Sequence, residues 1–175
     1  MSTVDVDQFL LEAVPRWTQA DFLFLEPQPW WAPSVQTVLA RTAARNTPSC
    51  PGRSVPWTDE TTEYRCQSAP STAGIYERIL NSSVAGVVLM AEQRMRDCLL
   101  LLGRLSRLCR PCPPVLVIIP GNTVSLIPLL LESGAGGVLL QTVTDIQIAD
   151  WCRRVTAWRA LPARDGEMGS TVSRR

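Results

Sequence analysis

Apolar residues from residue 20 onward come in short runs, separated by longer segments of mixed polarity. The runs are residues 20–26, 85–91, 115–119 and 137–140. Continuous apolar runs of this length are typical of parallel strands that are covered on both faces. Residues 64–68 have a weaker strand pattern. The pattern therefore predicts five short strands.

The segments between these runs have the three- and four-residue spacing of amphipathic helices. Residues 29–33 are predicted to form a turn, after which Ser34 caps a helix; a second helix starts at Ser71 or Thr72 and ends at Leu80. A short helix before residue 132 is predicted to start late, so that Pro128 lies in its first turn, and Gly134 ends it. On three of the helices, the residues at this spacing are predicted to form a stripe that faces the core. These core stripes are Val35, Val38, Leu39 and Thr42; Met95, Leu99, Leu102, Leu105 and Cys109; and Ile148, Trp151, Cys152 and Val155.

Strands that alternate with helices at this spacing predict an α/β fold with a doubly wound parallel sheet. Residues 20–160 are predicted to form this domain, with a loop insertion at about 46–63 that is rich in Pro, Gly, Ser and Thr. Residues 1–19 are an N-terminal extension whose segment 4–14 has the pattern of a short helix. Residues 161–175 are predicted to be a polar tail.

Composition narrows the chemistry that the chain can perform. All 17 basic residues are Arg, so the chain has no Lys, and it has no His. Catalysis by a His base or a Lys amine and most zinc or copper sites are therefore not expected. The net charge of +1 gives no indication of nucleic-acid binding. Neither a cofactor nor a metal is predicted.

Targeting signals are also weak. The first twenty residues contain three acids and no apolar core typical of a signal peptide. Residues 111–131 are uncharged, but four prolines and a glycine after residue 112 divide them into short pieces, so a membrane span is not expected. A cytoplasmic location is predicted.

Several local motifs have a structural and a functional interpretation. Cys109 and Cys112 form a C-x-x-C that closes a predicted helix, which favours packing over a redox or shared metal site. Residues 134–137 (GAGG) precede a strand, which is the wrong side for a dinucleotide loop. Residues 120–125 follow a strand and are interpreted as a simple turn rather than an anion site. Trp30 and Trp31 could form a contact surface or be buried against the sheet. The arginines at 96, 104, 107 and 110 could bind acidic partners or form a solvated helix face.

Three segments resemble the receiver domain of bacterial response regulators. They are residues 22–27 (FLFLEP), 114–119 (PVLVII) and the corner 132–139 (ESGAGGVL). The resemblance implies a flavodoxin-like sheet with strand order 2-1-3-4-5. In that family an Asp on the third strand accepts a phosphoryl group, acids after the first strand hold Mg²⁺, a Ser or Thr ends the fourth strand and a Lys ends the fifth.

The positions of this chain that match the family's site lack its chemistry. The acceptor position falls on Met90 or Ala91, the hydroxyl position on Ile119 and the lysine position on Gln141. Glu26 and Glu92 are interpreted as vestigial acids. The chain is therefore predicted to be a phosphorylation-independent pseudo-receiver, a protein-binding regulatory module in signal transduction and not an enzyme.

The resemblance also implies a surface for the partner. Family members commonly signal through a face that corresponds here to residues 122–159. Trp151, Arg154, Trp158 and Arg159 are the candidate contacts, since Trp and Arg are favoured at interfaces; Trp151 also suits the core. The partner is an unidentified protein, with a second copy as one candidate. The alternatives are an active phosphoacceptor domain of a phosphorelay and a small-molecule-binding α/β domain.

Overall fold

The computed structural model describes residues 19–45, 62–92, 94–108 and 112–159. The predictions for the short helix at 4–14, for most of the loop insertion and for the polar tail fall outside the described residues. Within the described part of the chain, no helix is long and apolar enough to cross a membrane.

The five strands form one parallel sheet in the order β2-β1-β3-β4-β5. They are β1 (Gln19–Leu25), β2 (Glu63–Ala69), β3 (Gly86–Met90), β4 (Val115–Ile119) and β5 (Gly137–Leu140). The predicted fold class and strand order are confirmed. The central strands β3 and β4 are almost completely buried because helices cover both faces, whereas the edge strand β2 alternates between exposed and partly buried residues.

Helices lie on both faces of this sheet. They are α1 (Trp31–Arg45), α2 (Thr72–Asn81), α3 (Met95–Leu108), α4 (Ile127–Glu132) and α5 (Asp145–Arg159), with a 3₁₀ helix (Gly121–Leu126) before α4. Helices α1 and α5 enclose one apolar cluster, and α2, α3 and α4 enclose the other. Each helix therefore begins near the carboxyl ends of the strands and returns to the amino ends.

Several local predictions are confirmed. Ser71 caps α2 by accepting a hydrogen bond from the Gly74 amide, Pro128 lies in the first turn of α4, and Gly134 has a φ of +103°. Most of the segment 120–125, which was predicted to be a simple turn, instead forms the 3₁₀ helix. The core stripe of α5 is as predicted, with Ile148, Cys152 and Val155 buried.

Two helix predictions are wrong in detail. Helix α1 begins at Trp31, so residues 31–33 form its first turn, and Ser34 lies inside the helix with its hydroxyl donating to Asp145 on α5 (2.7 Å). The stripe of α3 is displaced, because Cys98 and Leu101 are fully buried beside Leu102 and Leu105 whereas Met95 and Leu99 are only partly buried. Strand β2 begins at Glu63, one residue before the predicted strand at 64–68.

The outer edge of β2 is partly closed by a side chain of α1. The Gln36 amide donates to the Tyr64 carbonyl and accepts from the Cys66 amide, both at 2.7 Å. These are the two bonds that one residue of a further parallel strand would make. Gln36 thus occupies a pairing position on an edge strand, which opposes edge-to-edge association there.

Candidate functional site at the carboxyl ends of the strands

The residues that match the receiver site lie together at the carboxyl edge of the sheet. Leu25 pairs with Leu89, so Glu26 and Met90, the next residues on β1 and β3, are neighbours. Met90 pairs with Ile118, and Ile119 pairs with Leu140. The structure thus places Glu26, Met90, Ala91, Ile119 and Gln141 along one edge, where ligands bind in open α/β sheets.

Glu26 lies on this edge directly after β1, and only 3% of its surface is exposed. Its Oε2 accepts hydrogen bonds from the Trp30 amide (3.1 Å) and the Trp31 amide (2.7 Å). Its Oε1 accepts from the Ala32 amide (3.2 Å) and from the Ser68 hydroxyl (2.6 Å). The carboxylate therefore closes the amino end of α1 and ties it to the end of β2.

This arrangement accounts for the early start of α1. The first amides of a helix have no partner within the helix and favour a negative charge. A carboxylate directly after β1 supplies both the acceptors and the charge, so the cap comes from Glu26 and not from Ser34.

The same four hydrogen bonds occupy the lone pairs of the Glu26 carboxylate. A carboxylate offers about four lone-pair directions on its two oxygens, and four donors approach them here. A Mg²⁺ ion binds through carboxylate oxygens and waters in near-ideal octahedral geometry, so Glu26 would have to give up part of its cap to bind one. Among the described residues, no group of three or more His, Cys, Asp or Glu side chains is placed to hold a metal ion.

The residues at the acceptor and hydroxyl positions are apolar, and their side chains are buried or half-buried in the fold. Ala91 and Ile119 are buried and Met90 is half-buried. The Ala91 amide donates to the Ile118 carbonyl at 2.9 Å, which continues the ladder past the strand end. Glu92 is exposed beyond β3. The side chains at positions 90, 91 and 119 themselves contain no oxygen atom.

Gln141 lies one residue past β5 and is exposed. Its backbone amide donates to the Ile119 carbonyl at 2.8 Å. The neutral amide of its side chain lacks the positive charge that would neutralise a phosphoryl oxygen at this position.

The two tryptophans after β1 take different environments. Trp30 is 75% exposed, whereas Trp31 is half-buried against the cluster under α1. The sequence left contact and burial open for this pair; the burial interpretation applies to Trp31, whereas the side chain of Trp30 is exposed.

The candidate interface residues on α5 also differ in their exposure to solvent. The ring of Trp151 meets Phe22 edge-on with centroids 6.1 Å apart, so much of it belongs to the core. Trp158 is 70% exposed and Arg154 is exposed. Arg153 forms an ion pair with Asp150, and the side chain of Arg159 lies outside the described residues. Among the described side chains of the set, Trp158 and Arg154 are therefore the exposed ones.

The sequence missed one residue of this edge. Ser68 was placed only in a weak strand, yet its hydroxyl makes the shortest hydrogen bond to Glu26. The two residues are 42 positions apart, and the sole signal in the sequence is a small polar residue at the end of the strand that lies beside β1.

Three thiols of the described residues are held in their neutral form. Burial, with a smaller contribution from Glu26, raises the pKa of Cys66 from 9.0 to about 12. Burial and then Asp97 raise the pKa of Cys98 to about 12. Burial also raises the pKa of Cys152 well above 9.0. Cys112 is exposed, while Cys109, its partner in the C-x-x-C, lies outside the described residues.

We expect these thiols to alkylate at very different rates in the native protein. At pH 8 a rise in pKa from 9.0 to about 12 lowers the thiolate fraction of Cys66 about a thousandfold, and the thiolate is the reactive form. Cys112 should therefore react with iodoacetamide far faster than Cys66, Cys98 or Cys152, as measured by peptide mass mapping over time. Equal alkylation rates of these thiols in the native protein would contradict this assignment.

Comparisons with known proteins bear on the fold. No family profile matches the sequence, and no curated protein sequence matches it. Solved structures do match: a response regulator from Thermotoga maritima superposes with a TM-score of 0.59 at 11% identity, covering 79% of this chain and 98% of that one. A chemotaxis response regulator of Vibrio cholerae superposes with a TM-score of 0.56 at 11% identity, and the match covers 78% of this chain and 98% of that one.

The receiver domain of a TMAO respiratory system response regulator gives a TM-score of 0.55 at 16% identity, covering 81% of this chain and 99% of that domain. Each match spans nearly the whole of the other chain. The described fold is therefore that of receiver domains, as the resemblance in sequence predicted.

Proposed function

We propose that this chain is a receiver-like regulatory module that does not accept a phosphoryl group and acts by binding a protein. The observation that carries the proposal is the environment of Glu26. Where a receiver would hold Mg²⁺, this carboxylate is buried and accepts four hydrogen bonds from its own chain.

The rest of the edge supports the same conclusion. Phosphoryl transfer depends on positioning and on positive charge that neutralises the transferred group. The strand ends offer Met90, Ala91 and Ile119 in place of an acceptor and a hydroxyl, and Gln141 in place of a cation. With no His or Lys in the chain to replace them, a role in binding is favoured over an enzymatic one.

The cap on α1 also bears on signalling. A receiver changes state when a phosphoryl group rearranges the carboxyl edge of its sheet. Here hydrogen bonds within the chain hold that edge, and apolar side chains fill it. We infer that the module is held in one state and that its surface is available for binding without a covalent signal.

The proposed binding surface is the 122–159 face, and the proposed partner is a second copy of the chain. Trp158 and Arg154 are exposed there, and five further apolar residues of the face are exposed: Val124, Leu129, Leu131, Leu140 and Ile146. Six of the nine large hydrophobic side chains that are exposed among the described residues thus lie on this face, which favours it as the interaction surface. Trp158 is the expected anchor, since buried Trp residues contribute most to many interfaces.

Sedimentation equilibrium tests this proposal directly. We expect a dimer whose dissociation constant is unchanged by Mg²⁺ with acetyl phosphate, and which Trp158→Ala weakens by about tenfold or more. Trp30→Ala is the matched control, because Trp30 is equally exposed but lies outside the face, and it should leave the dimer intact. A protein that remains monomeric, or dimerises only with the phosphodonor, would contradict the proposal.

A further inference from the structure

The two edges of the sheet differ in their protection against pairing with another strand. At β2, the Gln36 side chain hydrogen-bonds to the backbone of Tyr64 and Cys66, and Glu63 and Arg65 place charges on the strand. Covered backbone groups and charged side chains are common protections of edge strands. At the opposite edge, β5 has the sequence GVLL, without a charged residue or a proline. Strand β5 is therefore the less protected edge.

Two residues of β5 direct their backbone groups outward. The Gly136 amide donates to the Val115 carbonyl at 2.8 Å, so the backbone of residue 136 faces β4. The direction of the backbone groups alternates along a strand, so Gly137 and Leu139 direct both N–H and C=O away from β4. Among the described strands, none lies on that side of β5. These two residues can therefore pair with a further strand.

The side of α5 that lies over this edge is also exposed. A Cβ at Gly137 would lie 3.8 Å from Nε1 of Trp151, so the Trp151 side of α5 is the side over β5. At 3.6 residues per turn, Arg154 and Trp158 follow Trp151 by about one and two turns and lie on the same side of the helix. Arg154 is exposed, and Trp158 is 70% exposed. The open strand edge and the exposed side of α5 thus face the same direction.

The other face of the sheet has exposed apolar residues beside the same edge. Val138 packs against the cluster that α2, α3 and α4 enclose, so Leu140, two residues further along the strand, points to that face as well. Leu140 is exposed, as are Leu129 and Leu131 of α4. Exposed apolar side chains therefore lie above and below the outer edge of β5.

We propose that β5 pairs in antiparallel orientation with β5 of a second copy, so that the two sheets become one. This inference rests on the proposed function, in which the 122–159 face binds a second copy, and it specifies how the copies meet. A two-fold axis at Val138 places Gly137 of each copy opposite Leu139 of the other. Each of these residue pairs exchanges both N–H···O=C hydrogen bonds, so the outward groups of β5 are all satisfied.

The charges along α5 favour this antiparallel arrangement. The two-fold axis is perpendicular to the sheet, so the two α5 helices lie on the same face and run in opposite directions. The first half of α5 contains Asp145 and Asp150, and the second half contains Arg153, Arg154 and Arg159. Antiparallel helices place the acidic half of one beside the basic half of the other. A second copy therefore complements this surface in charge as well as in hydrogen bonding.

Cysteine cross-linking of the full-length protein tests the pairing. In a background with Cys50, Cys109 and Cys112 replaced by Ser, Val138→Cys places the new thiol opposite its own copy in a non-hydrogen-bonded pair. The Cα atoms of such a pair are about 4.5 Å apart, which lies in the disulfide range of about 4.4–6.8 Å. Leu140→Cys is the matched control on the same strand and face, since its two copies would be about 13 Å apart along the strands. With copper phenanthroline as the oxidant, Val138→Cys should give at least about five times as much covalent dimer as Leu140→Cys on a non-reducing gel.

Hydrogen exchange in the unmodified protein gives a second readout that needs no substitution. The amides of Gly137 and Leu139 should exchange at least about tenfold more slowly well above the dissociation constant of the dimer than after dilution far below it. The amides of the other edge strand, β2, are the internal control and should exchange at the same rate at both concentrations.

The outcomes separate this inference from the proposed function. A protein that sediments as a monomer at all concentrations would overturn both, because no second copy binds. A dimer in which Gly137 and Leu139 exchange at a rate independent of concentration would overturn the strand pairing alone. Cross-linking through residue 140 that equals or exceeds that through residue 138 would also overturn it, because the two strands would then not meet at Val138.

Discussion

Replacing Glu26 by alanine is expected to lower the free energy of unfolding by about 3 kcal/mol. The substitution removes a buried carboxylate that accepts four hydrogen bonds, three of them from the backbone amides of Trp30 and of the first two residues of α1. Hydrogen bonds to a charged group contribute about 1.5–3 kcal/mol each when removed singly, and loss of a helix cap costs about 0.5–2 kcal/mol. These contributions overlap, and water will hydrogen-bond some of the freed amides. The expected loss of stability is therefore much smaller than the single values added together. Urea denaturation followed by circular dichroism measures the change.

Two variants separate the parts of this effect. Glu26→Gln keeps the shape but directs an NH₂ group at donors, so about 2 kcal/mol should be lost. Ser68→Ala removes one donor and should cost about 1 kcal/mol. An alanine variant at position 26 that unfolds like the wild type would mean that the carboxylate is not the cap of α1, and it would return Glu26 to the role of a free site acid.

The second large effect is expected at Gly86, where alanine should destabilise the fold by about 2 kcal/mol. A Cβ at this position would lie 2.8 Å from Cε1 of Phe22 and 3.0 Å from Cη2 of Trp151. Both rings are large and pack against each other in the cluster under α1 and α5. Neither can move without disturbing the other, so the added methyl group forces a shift of β3 or of α5. The midpoint of thermal unfolding should fall by several degrees.

Gly103→Ala is the matched control for Gly86→Ala. Position 103 lies in the interior of α3, where an added Cβ meets nothing within 4 Å, so alanine should stabilise the protein by about 0.5–1 kcal/mol through helix propensity alone. Opposite signs at the two glycines are therefore predicted. Equal effects would mean that the packing of Phe22 and Trp151 does not restrict position 86.

The fold could be predicted from the sequence because its main signals are local. The runs at 85–91 and 115–119 are apolar on both faces, as β3 and β4 require, and prolines and glycines mark the turns around α4. The stripe on α5 was also visible from spacing alone. Edge strand β2 gave only a weak signal because just one of its seven residues is buried.

The prediction was wrong where a distant group changed the local preference. Ser34 has the residue type and position of a helix cap, but Glu26, five residues before Trp31, supplies a stronger acceptor and moves the start of α1. In α3 the sequence offers apolar residues on nearly every side, including Leu99 and Leu100. Periodicity alone could not then determine which side faces the sheet.

The positions that match the receiver site could be identified from the sequence, but not the contacts around them. Glu26, Met90, Ala91, Ile119 and Gln141 were placed at strand ends, and the structure brings these positions to one edge of the sheet. Whether Glu26 faces solvent, a metal or the backbone depends on Ser68 and on the amides of α1, which come together only in the folded chain. The proposal that phosphoryl chemistry is absent rests on that contact.

The most direct test of this proposal is incubation of the full-length protein with Mg²⁺ and acetyl phosphate, read by intact mass spectrometry. A receiver with a complete site serves as the positive control in the same buffer. We predict no gain in mass for this chain while the control gains one phosphoryl group. A gain of one phosphoryl group would contradict the account, and its loss in Glu92→Gln would identify Glu92 as the acceptor of an active phosphorelay domain.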